Sequence, residues 1–229
     1  MDEAVILAGG LGTRLRDVVP SLPKPMAPIR GRPFLSYQLD YLAAQGIRRV
    51  VLSVGYCWEA LRDHFGDHYH AIQLDYAVEP EPLGTGGGMR LALAQATRDP
   101  VFVLNGDTFF PVELRTLAAF HEAKGADVSL ALAFMRDARR YGTVELDSNQ
   151  RIVGFTEKSA REQGLINGGV YVLRRGLLED QAPRQAFSFE KDVLEPRCHS
   201  LRCFGLVSSA YFIDIGVPAD YQRAQTELE

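Results

Sequence analysis

The chain has 229 residues, of which 46% are hydrophobic and 24% charged, so its composition excludes a disordered protein. The formal net charge of −4, from 25 basic and 29 acidic side chains, argues against a broad basic face for nucleic acid but leaves room for a local phosphate site. Three cysteines without a C-x-x-C pair, no apolar run near the roughly 20 residues of a membrane span, and no secretory signal pattern predict a cytoplasmic protein without a membrane partner.

The first 125 residues alternate strand and helix patterns. Residues 4–8 form a short apolar run closed by glycines, which is typical of a strand buried on both faces. Further strands are predicted at 50–54, 72–78 and 101–104, and helices at 33–45, 58–65, 87–97 and 112–124. Repeated strand–helix units call for a mostly parallel sheet with helices on both faces.

From residue 127 onward the pattern is rich in strands. Strands are predicted at 128–135, 143–146, 151–155, 169–173, 201–207 and 211–215, with a hairpin turn at 147–150 and helices at 188–195 and from Pro218. We therefore predict one α/β domain over residues 1–229, a Rossmann-like mixed sheet sandwiched by helices. Its strand-rich second part is expected to cover one side of a cleft.

A glycine-rich string, Gly9 to Arg16, directly follows the first strand. It is not a dinucleotide fingerprint, because Leu15 stands where the third glycine is needed, and it has no Gly-Lys-Ser/Thr of a P-loop. Backbone N–H groups of glycines can approach an anion closely. Together with Arg14 and the Pro-flanked Lys24, the string suits a polyphosphate.

Two aspartates are candidate metal ligands. Asp107 follows an apolar strand, at the sheet edge where ligands of open α/β sheets bind, although an aspartate there could equally cap the next helix. Asp214 lies inside an otherwise apolar run, 210–215, where an unpaired carboxylate is costly and needs a cation or a hydrogen-bonded partner. Mg²⁺ commonly uses one or two carboxylates plus substrate phosphates, so the pair predicts a Mg²⁺ site.

The string 9–16 with Pro23-Lys24-Pro25 resembles the signature of the sugar-phosphate nucleotidyltransferases, also called sugar-nucleotide pyrophosphorylases. Segments 83–88, 104–107, 157–158, 167–169 and 212–214 resemble further motifs of that family, in the same order. The resemblance implies a glycosyltransferase-A-like fold and an enzyme that joins an NTP and a sugar 1-phosphate, with Mg²⁺ as cofactor. Residues 1–125 would mainly bind the nucleotide and residues 126–229 the sugar phosphate.

Specific roles follow from the resemblance. The implied catalytic residues are Arg14, Lys24 and Asp107, and the implied metal ligands are Asp107 and Asp214. The implied nucleotide-binding residues are Leu7, Ala8, Gly9, Gly10, Gly12, Thr13, Arg14, Glu79, Leu83, Gly84, Thr85, Asn105 and Gly106. The implied sugar-phosphate ligands are Lys24, Gly142, Glu157, Lys158, Asn167 and Gly168. Either Glu79 or Glu81 would accept hydrogen bonds from the nucleobase, which favours guanine with its N–H donors.

Segments 23–28, 33–35, 104–110 and 212–218 look most like the D-glycero-D-manno-heptose 1-phosphate guanylyltransferases. This implies GTP and heptose 1-phosphate as substrates and GDP-heptose for surface polysaccharides as the product. The string 81–85 also resembles mannose-1-phosphate guanylyltransferases, and an N-acetylmuramate-1-phosphate uridylyltransferase is the nearest alternative with another base.

Two alternatives lie outside the family. A metal-dependent glycosyltransferase typically shows Asp-x-Asp after the strand, whereas Asp107 is followed by Thr108-Phe109. A catalytically silent sugar-nucleotide sensor would have lost charges that are present here, including Lys24 and Asp214. A homo-oligomer is compatible with the sequence, but no feature identifies its interface.

Overall fold

The alternating strands and helices are present in the computed structural model, which describes residues 1–10, 22–156, 162–179 and 185–228. The strands are β1 (Glu3–Leu7), β2 (Pro28–Ile29), β3 (Arg32–Pro33), β4 (Arg49–Val54), β5 (His68–Tyr69), β6 (Ile72–Val78), β7 (Val101–Asn105), β8 (Thr108–Phe109), β9 (Val128–Met135), β10 (Thr143–Leu146), β11 (Ile152–Thr156), β12 (Gly164–Leu173), β13 (Cys203–Ser208) and β14 (Ile213–Asp214). The α-helices are α1 (Phe34–Ala44), α2 (Trp58–Phe65), α3 (Gly84–Gln95), α4 (Leu114–Ala123), α5 (Glu195–Arg197) and α6 (Pro218–Glu227). Short 3₁₀ turns at Lys24–Met26 and Arg175–Leu178 and a π-helical turn at Glu190–Leu194 are also present. Every helix in these ranges is too short or too polar to span a lipid bilayer.

Ten strands of the described residues form one mixed sheet, in the order β11-β10-β12-β7-β1-β4-β6-β5, with β9 beside β12 and β13 beyond β9. The central strands β7, β1, β4 and β6 are parallel, whereas β12 is antiparallel to both β7 and β9. The carboxyl ends of the central strands therefore meet at one edge of the sheet. This arrangement confirms the predicted α/β fold with a strand-rich second part.

Alternating side chains of the central strands point into two separate apolar layers. Ala4 and Ile6 of β1 pack in the layer that holds residues of α1, α2 and α4, while Val5 packs in the layer that holds residues of α3. All three side chains are fully buried. Because neighbouring residues of one strand are buried on opposite faces, the sheet needs helices on both sides.

A third apolar cluster joins α6 to the short strands β2 and β14. Tyr221 on α6 donates through its hydroxyl to the carbonyl of Pro28 at 2.7 Å. Strand β14 pairs antiparallel with β8, which places Asp214 opposite Thr108. The packing of α6 thereby holds β14, and the segment that follows Lys24–Met26, beside the carboxyl edge of the sheet.

Two helical segments differ from the sequence prediction because of contacts distant in sequence. Helix α3 begins at Gly84 rather than at residue 87, since Gly86 N donates to the Phe187 carbonyl at 2.9 Å and Phe187 N to the Leu83 carbonyl at 2.9 Å. The predicted helix 188–195 contains a π-helical turn, in which Glu195 N donates to the carbonyl of Glu190 five residues earlier.

Two strands also differ in length from the prediction. Strand β12 begins at Gly164 instead of residue 169, because Gly164–Asn167 pairs with Leu132–Met135 of β9. Strand β14 has two residues instead of five, because its partner β8 is itself only two residues long.

Candidate active site

A cleft of about 720 Å³ lies at the carboxyl edge of the parallel strands, where β1 and β7 end. The sequence-predicted residues that line it are Leu7, Ala8, Gly9, Gly10, Lys24, Glu79, Gly84, Thr85, Asn105, Gly106, Asp107, Gly142, Asn167 and Asp214. It is also lined by Pro25, Ser53, Pro82, Gly88, Thr108, Tyr141 and Glu190. The fold thus brings motifs from both ends of the chain to one place.

Two other predicted residues, Leu83 and Gly168, are described but do not line this cleft. Leu83 is buried, and its backbone N and O bond Glu79 and Phe187. A Cβ on Gly168 would lie 2.3 Å from the ring of Phe110, so this glycine is needed for close packing. The predicted residues Gly12, Thr13, Arg14, Glu157 and Lys158 lie outside the described residues.

Lys24, Asp107 and Asp214 form a charged cluster on one wall. Lys24 Nζ donates to Asp107 Oδ2 at 2.9 Å, and Ile215 N donates to the backbone carbonyl of Asp107 at 2.9 Å. Asp214 Oδ1 accepts from Gly216 N at 2.7 Å. Burial raises the pKa of Asp214, and the nearby charge of Asp107 raises it further. Two carboxylates and one ammonium group therefore share this part of the cleft.

The donor set of this cluster fits a hard divalent cation. Carboxylate oxygens are the ligands that Mg²⁺ prefers, and Mg²⁺ usually takes only one or two of them from the protein. Among the described residues, no group of three or more His, Cys, Asp or Glu side chains could hold a metal ion. Asp107 and Asp214 therefore fit an ion that takes its remaining ligands from substrate phosphates and water.

Glu79 is held in place at the base of the glycine turn. Its Oε1 accepts from Ser53 Oγ and its Oε2 from Leu83 N, both at 3.0 Å. A Cβ on Gly9 would lie 2.1 Å from Oε1, so only glycine leaves room for the carboxylate. Glu81 is exposed and lines a neighbouring cavity of about 290 Å³, which shares Gly9 and Glu79 with the main cleft.

The glycines that open α3 are needed for contacts within the protein. A Cβ on Gly86 would lie 2.2 Å from the ring of Phe187, and a Cβ on Gly87 would lie 2.6 Å from the carbonyl oxygen of Gln185. Since Leu83 and Gly86 also exchange backbone hydrogen bonds with Phe187, much of the Leu83–Gly86 backbone is engaged in joining this loop to the second part of the chain.

Glu190 is the centre of a hydrogen-bond network that also lines the cleft. Its Oε2 accepts from Thr85 Oγ1 at 2.7 Å and from Ser188 Oγ at 3.0 Å, and its Oε1 accepts from the Tyr171 hydroxyl at 3.1 Å. Asn167 Nδ2 donates to the same hydroxyl at 2.7 Å. The carboxylate thus joins the loop that opens α3 to the predicted sugar-phosphate residue Asn167.

Glu190 is a residue of the cleft to which the sequence analysis assigned no role. The local signal was weak, because a glutamate in a predicted helix is ordinarily solvated. Tyr141, which precedes the predicted Gly142, also lines the cleft, and its ring lies edge-on to Phe212. Both residues are recognisable as part of the site only once the cleft is assembled.

A glycine turn, a lysine and two aspartates at the carboxyl edge of a parallel sheet are groups suited to binding phosphate and a divalent cation. The chain belongs to the nucleotidyl transferase family, whose model matches residues 3–229. Over 227 residues it is 48% identical to the D-glycero-alpha-D-manno-heptose 1-phosphate guanylyltransferase of Aneurinibacillus thermoaerophilus, covering 99% of this chain and 98% of that one. It is 44% identical over 219 residues to the enzyme of the same name from Campylobacter jejuni, covering 96% of each chain.

This chain is also similar to a solved structure over its whole length. HddC from Yersinia pseudotuberculosis, crystallised in complex with GMP-PN, matches with a TM-score of 0.89 and 36% identity over 100% of both chains. The family, the fold and the enzyme class predicted from the sequence motifs are therefore confirmed.

Proposed function

We propose that this chain transfers the guanylyl group of GTP to D-glycero-α-D-manno-heptose 1-phosphate, forming GDP-heptose and pyrophosphate. The observation that carries the chemistry is the cluster of Lys24, Asp107 and Asp214 in the cleft at the sheet edge. The choice of base and sugar is supported by the similarity, over nearly the whole of both chains, to heptose 1-phosphate guanylyltransferases.

The reaction makes modest chemical demands on the protein. An oxygen of the sugar phosphate attacks the α-phosphorus of GTP, a new P–O bond forms, and the bond to the β-phosphate breaks in line. The attacking phosphate is already anionic near neutral pH, so no general base is needed. Catalysis then consists of positioning and charge neutralisation.

The charged cluster supplies both. An ammonium group has three donors, so Lys24 can bind Asp107 and a phosphate oxygen at the same time. Asp107 and Asp214 are the residues that would hold Mg²⁺. When bound, the ion neutralises charge on the phosphate oxygens. We assign Arg14 to the departing pyrophosphate and Lys158 to the sugar phosphate by the family resemblance alone.

The nucleotide occupies the wall built by Gly9, Gly10 and Glu79. A Cβ on Gly10 would meet no atom of the described residues within 4 Å, so among these residues the turn leaves space that a phosphate can enter. Glu79 is the proposed base reader, since its fixed carboxylate oxygens can each accept a further hydrogen bond from guanine N–H groups. Gly142 and Asn167 line the sugar side of the same cleft.

The test is Mg²⁺-dependent pyrophosphate release from a grid of GTP and UTP against heptose, mannose and N-acetylmuramate 1-phosphates. We expect turnover with GTP and heptose 1-phosphate, at a kcat/KM well above every other pair. A preference for mannose 1-phosphate would overturn the sugar assignment, and turnover with UTP the base assignment. No release with any pair, from folded protein, would overturn the proposed function.

A further inference from the structure

One face of α1 is polar although it is covered by protein. Gln38, Tyr41 and Gln45, the last directly after the helix, are spaced by three and four residues and therefore lie on one side of it. All three bond the segment 105–114, which joins β7 to α4 and carries Asp107. Their hydrogen bonds are Gln38 Nε2 to the carbonyls of Asn105 (2.8 Å) and Thr108 (2.7 Å), the Tyr41 hydroxyl to the carbonyl of Val112 (2.6 Å), and Leu114 N to Gln45 Oε1 (3.0 Å).

Gln38 binds the part of this segment nearest the active site. Its side-chain amide donates to the carbonyls of Asn105 and Thr108, which flank Gly106-Asp107 on either side. Carbonyl oxygens only accept hydrogen bonds, and only the NH₂ end of the glutamine side chain donates them. The NH₂ group of Gln38 must therefore face the two carbonyls.

The burial of Gln38 indicates that these two hydrogen bonds are specifically needed. The residue is 1% exposed, and among the described residues its Oε1 has no hydrogen-bond partner. An unpaired buried acceptor is costly, and an apolar side chain would avoid that cost. What glutamine provides, and an apolar residue cannot, is the pair of donors for the carbonyls of Asn105 and Thr108.

Two further contacts hold the same turn. Gly106 N donates to the Leu7 carbonyl on β1 at 2.9 Å, and Ile215 N donates to the Asp107 carbonyl at 2.9 Å. Together with Gln38, they attach the turn to β1, β14 and α1. Removing the α1 contact leaves two carbonyls without their donor next to the residue that carries the carboxylate.

We infer that Gln38 is a positioning residue that fixes the backbone around Asp107, and so keeps its carboxylate in register with Lys24 and Asp214. Its effect on turnover rests on the proposed function, whereas its effect on the backbone does not. A misplacement of about 1 Å can lower a rate by roughly a hundredfold, so we expect loss of the donors to lower kcat by about 10- to 100-fold.

The experiment compares Gln38→Met, which keeps the length of the side chain without its donors, with Tyr41→Phe. The control removes one hydrogen bond from the same helix to the same segment, but at Val112, five residues beyond Asp107. For each variant we would measure kcat, the KM values, the Mg²⁺ concentration for half-maximal activity, and amide hydrogen exchange of peptides covering 102–110 and 212–217. Gln38→Asn, whose amide is one methylene too short to reach both carbonyls, serves if Gln38→Met does not fold.

We expect Gln38→Met to lower kcat, raise the Mg²⁺ requirement and speed exchange in both peptides, with the KM for GTP within about threefold. Tyr41→Phe should keep kcat within about twofold. Equal kcat values in Gln38→Met and Tyr41→Phe, or unchanged exchange around Asp107, would overturn the inference. If the wild type turns over no substrate pair, the proposed function fails, and exchange alone decides whether Gln38 holds the turn.

Discussion

Replacing Gly9 with alanine tests whether Glu79 selects the nucleobase. The added Cβ would lie 2.1 Å from Glu79 Oε1, far inside the roughly 3.5 Å of ordinary non-bonded contact. The carboxylate must retreat by more than about 1 Å, which breaks its 3.0 Å hydrogen bonds from Ser53 Oγ and Leu83 N. The substitution therefore displaces the proposed base reader without changing its chemistry.

The size of the effect follows from the bonds that are lost. Hydrogen bonds to a charged group contribute about 1.5–3 kcal/mol each. Glu79 is only half-buried and can turn toward water, so we expect a loss of about 1–2 kcal/mol in the free energy of unfolding. Loss of about 1.5–3 kcal/mol of guanine binding corresponds to a fall of roughly 10- to 100-fold in kcat/KM for GTP.

Pyrophosphate release at varied GTP measures the effect on turnover, and urea unfolding measures the effect on stability. Gly10→Ala is the control for stability, because its Cβ would contact none of the residues that the structure describes, and its free energy of unfolding should match the wild type. A wild-type kcat/KM for GTP in Gly9→Ala would refute the assignment to Glu79. If Glu81→Gln then raised the KM for GTP, base recognition would lie with Glu81.

Three further predictions concern other parts of the molecule. Asp107→Asn and Asp214→Asn should each lower kcat by about 10²- to 10³-fold, and EDTA should stop pyrophosphate release until Mg²⁺ is restored; full turnover in either variant would contradict a shared metal site. Glu190→Gln should raise the KM of both substrates by roughly tenfold, because the single oxygen of an amide cannot accept hydrogen bonds from all the hydroxyl groups that donate to the carboxylate. Unchanged KM values would show that the network does not shape the cleft. Burial lowers the pKa of His121 below its ordinary 6.5, so the folded state holds its proton less tightly than the unfolded state. The free energy of unfolding should therefore fall as the pH drops below about 6.5, by at most about 1.4 kcal/mol per pH unit. Urea unfolding at pH 7 and pH 5.5 measures this change, and His121→Gln should lose this part of the pH dependence.

The sequence predicted the elements that depend on local pattern. Buried strands and amphipathic helices are recognisable from the spacing of apolar residues, and the central parallel sheet follows from their order. A hydrogen-bond partner for Asp214 was also predictable, since an unpaired acidic residue within an apolar run is costly, and Gly216 N donates to its Oδ1 at 2.7 Å. These inferences need no knowledge of contacts distant in sequence.

The remaining features depend on contacts that no local pattern records. In the periodicity of α1, Leu35, Leu39 and Leu42 mark the apolar face, but this pattern does not show what Gln38 and Tyr41 would contact. They are covered because the segment 105–114 crosses that side of the helix. Gly84, Gly86 and Gly87 at the start of α3 likewise suggest a ligand loop, while the atoms nearest to them belong to Gln185 and Phe187, about a hundred residues later.

The cleft is built jointly by the two parts of the chain that the sequence assigns to nucleotide and sugar. Lys24 and Asp107 come from the first part and Asp214 from the second, yet they form one charged cluster. In the same cleft, Thr85 of the first part donates to Glu190 of the second at 2.7 Å. In-line attack requires the sugar phosphate and the α-phosphate of the nucleotide to be held in register. A cleft to which both parts of the chain contribute can meet this requirement, because Lys24–Asp107 and Thr85–Glu190 each join residues distant in sequence.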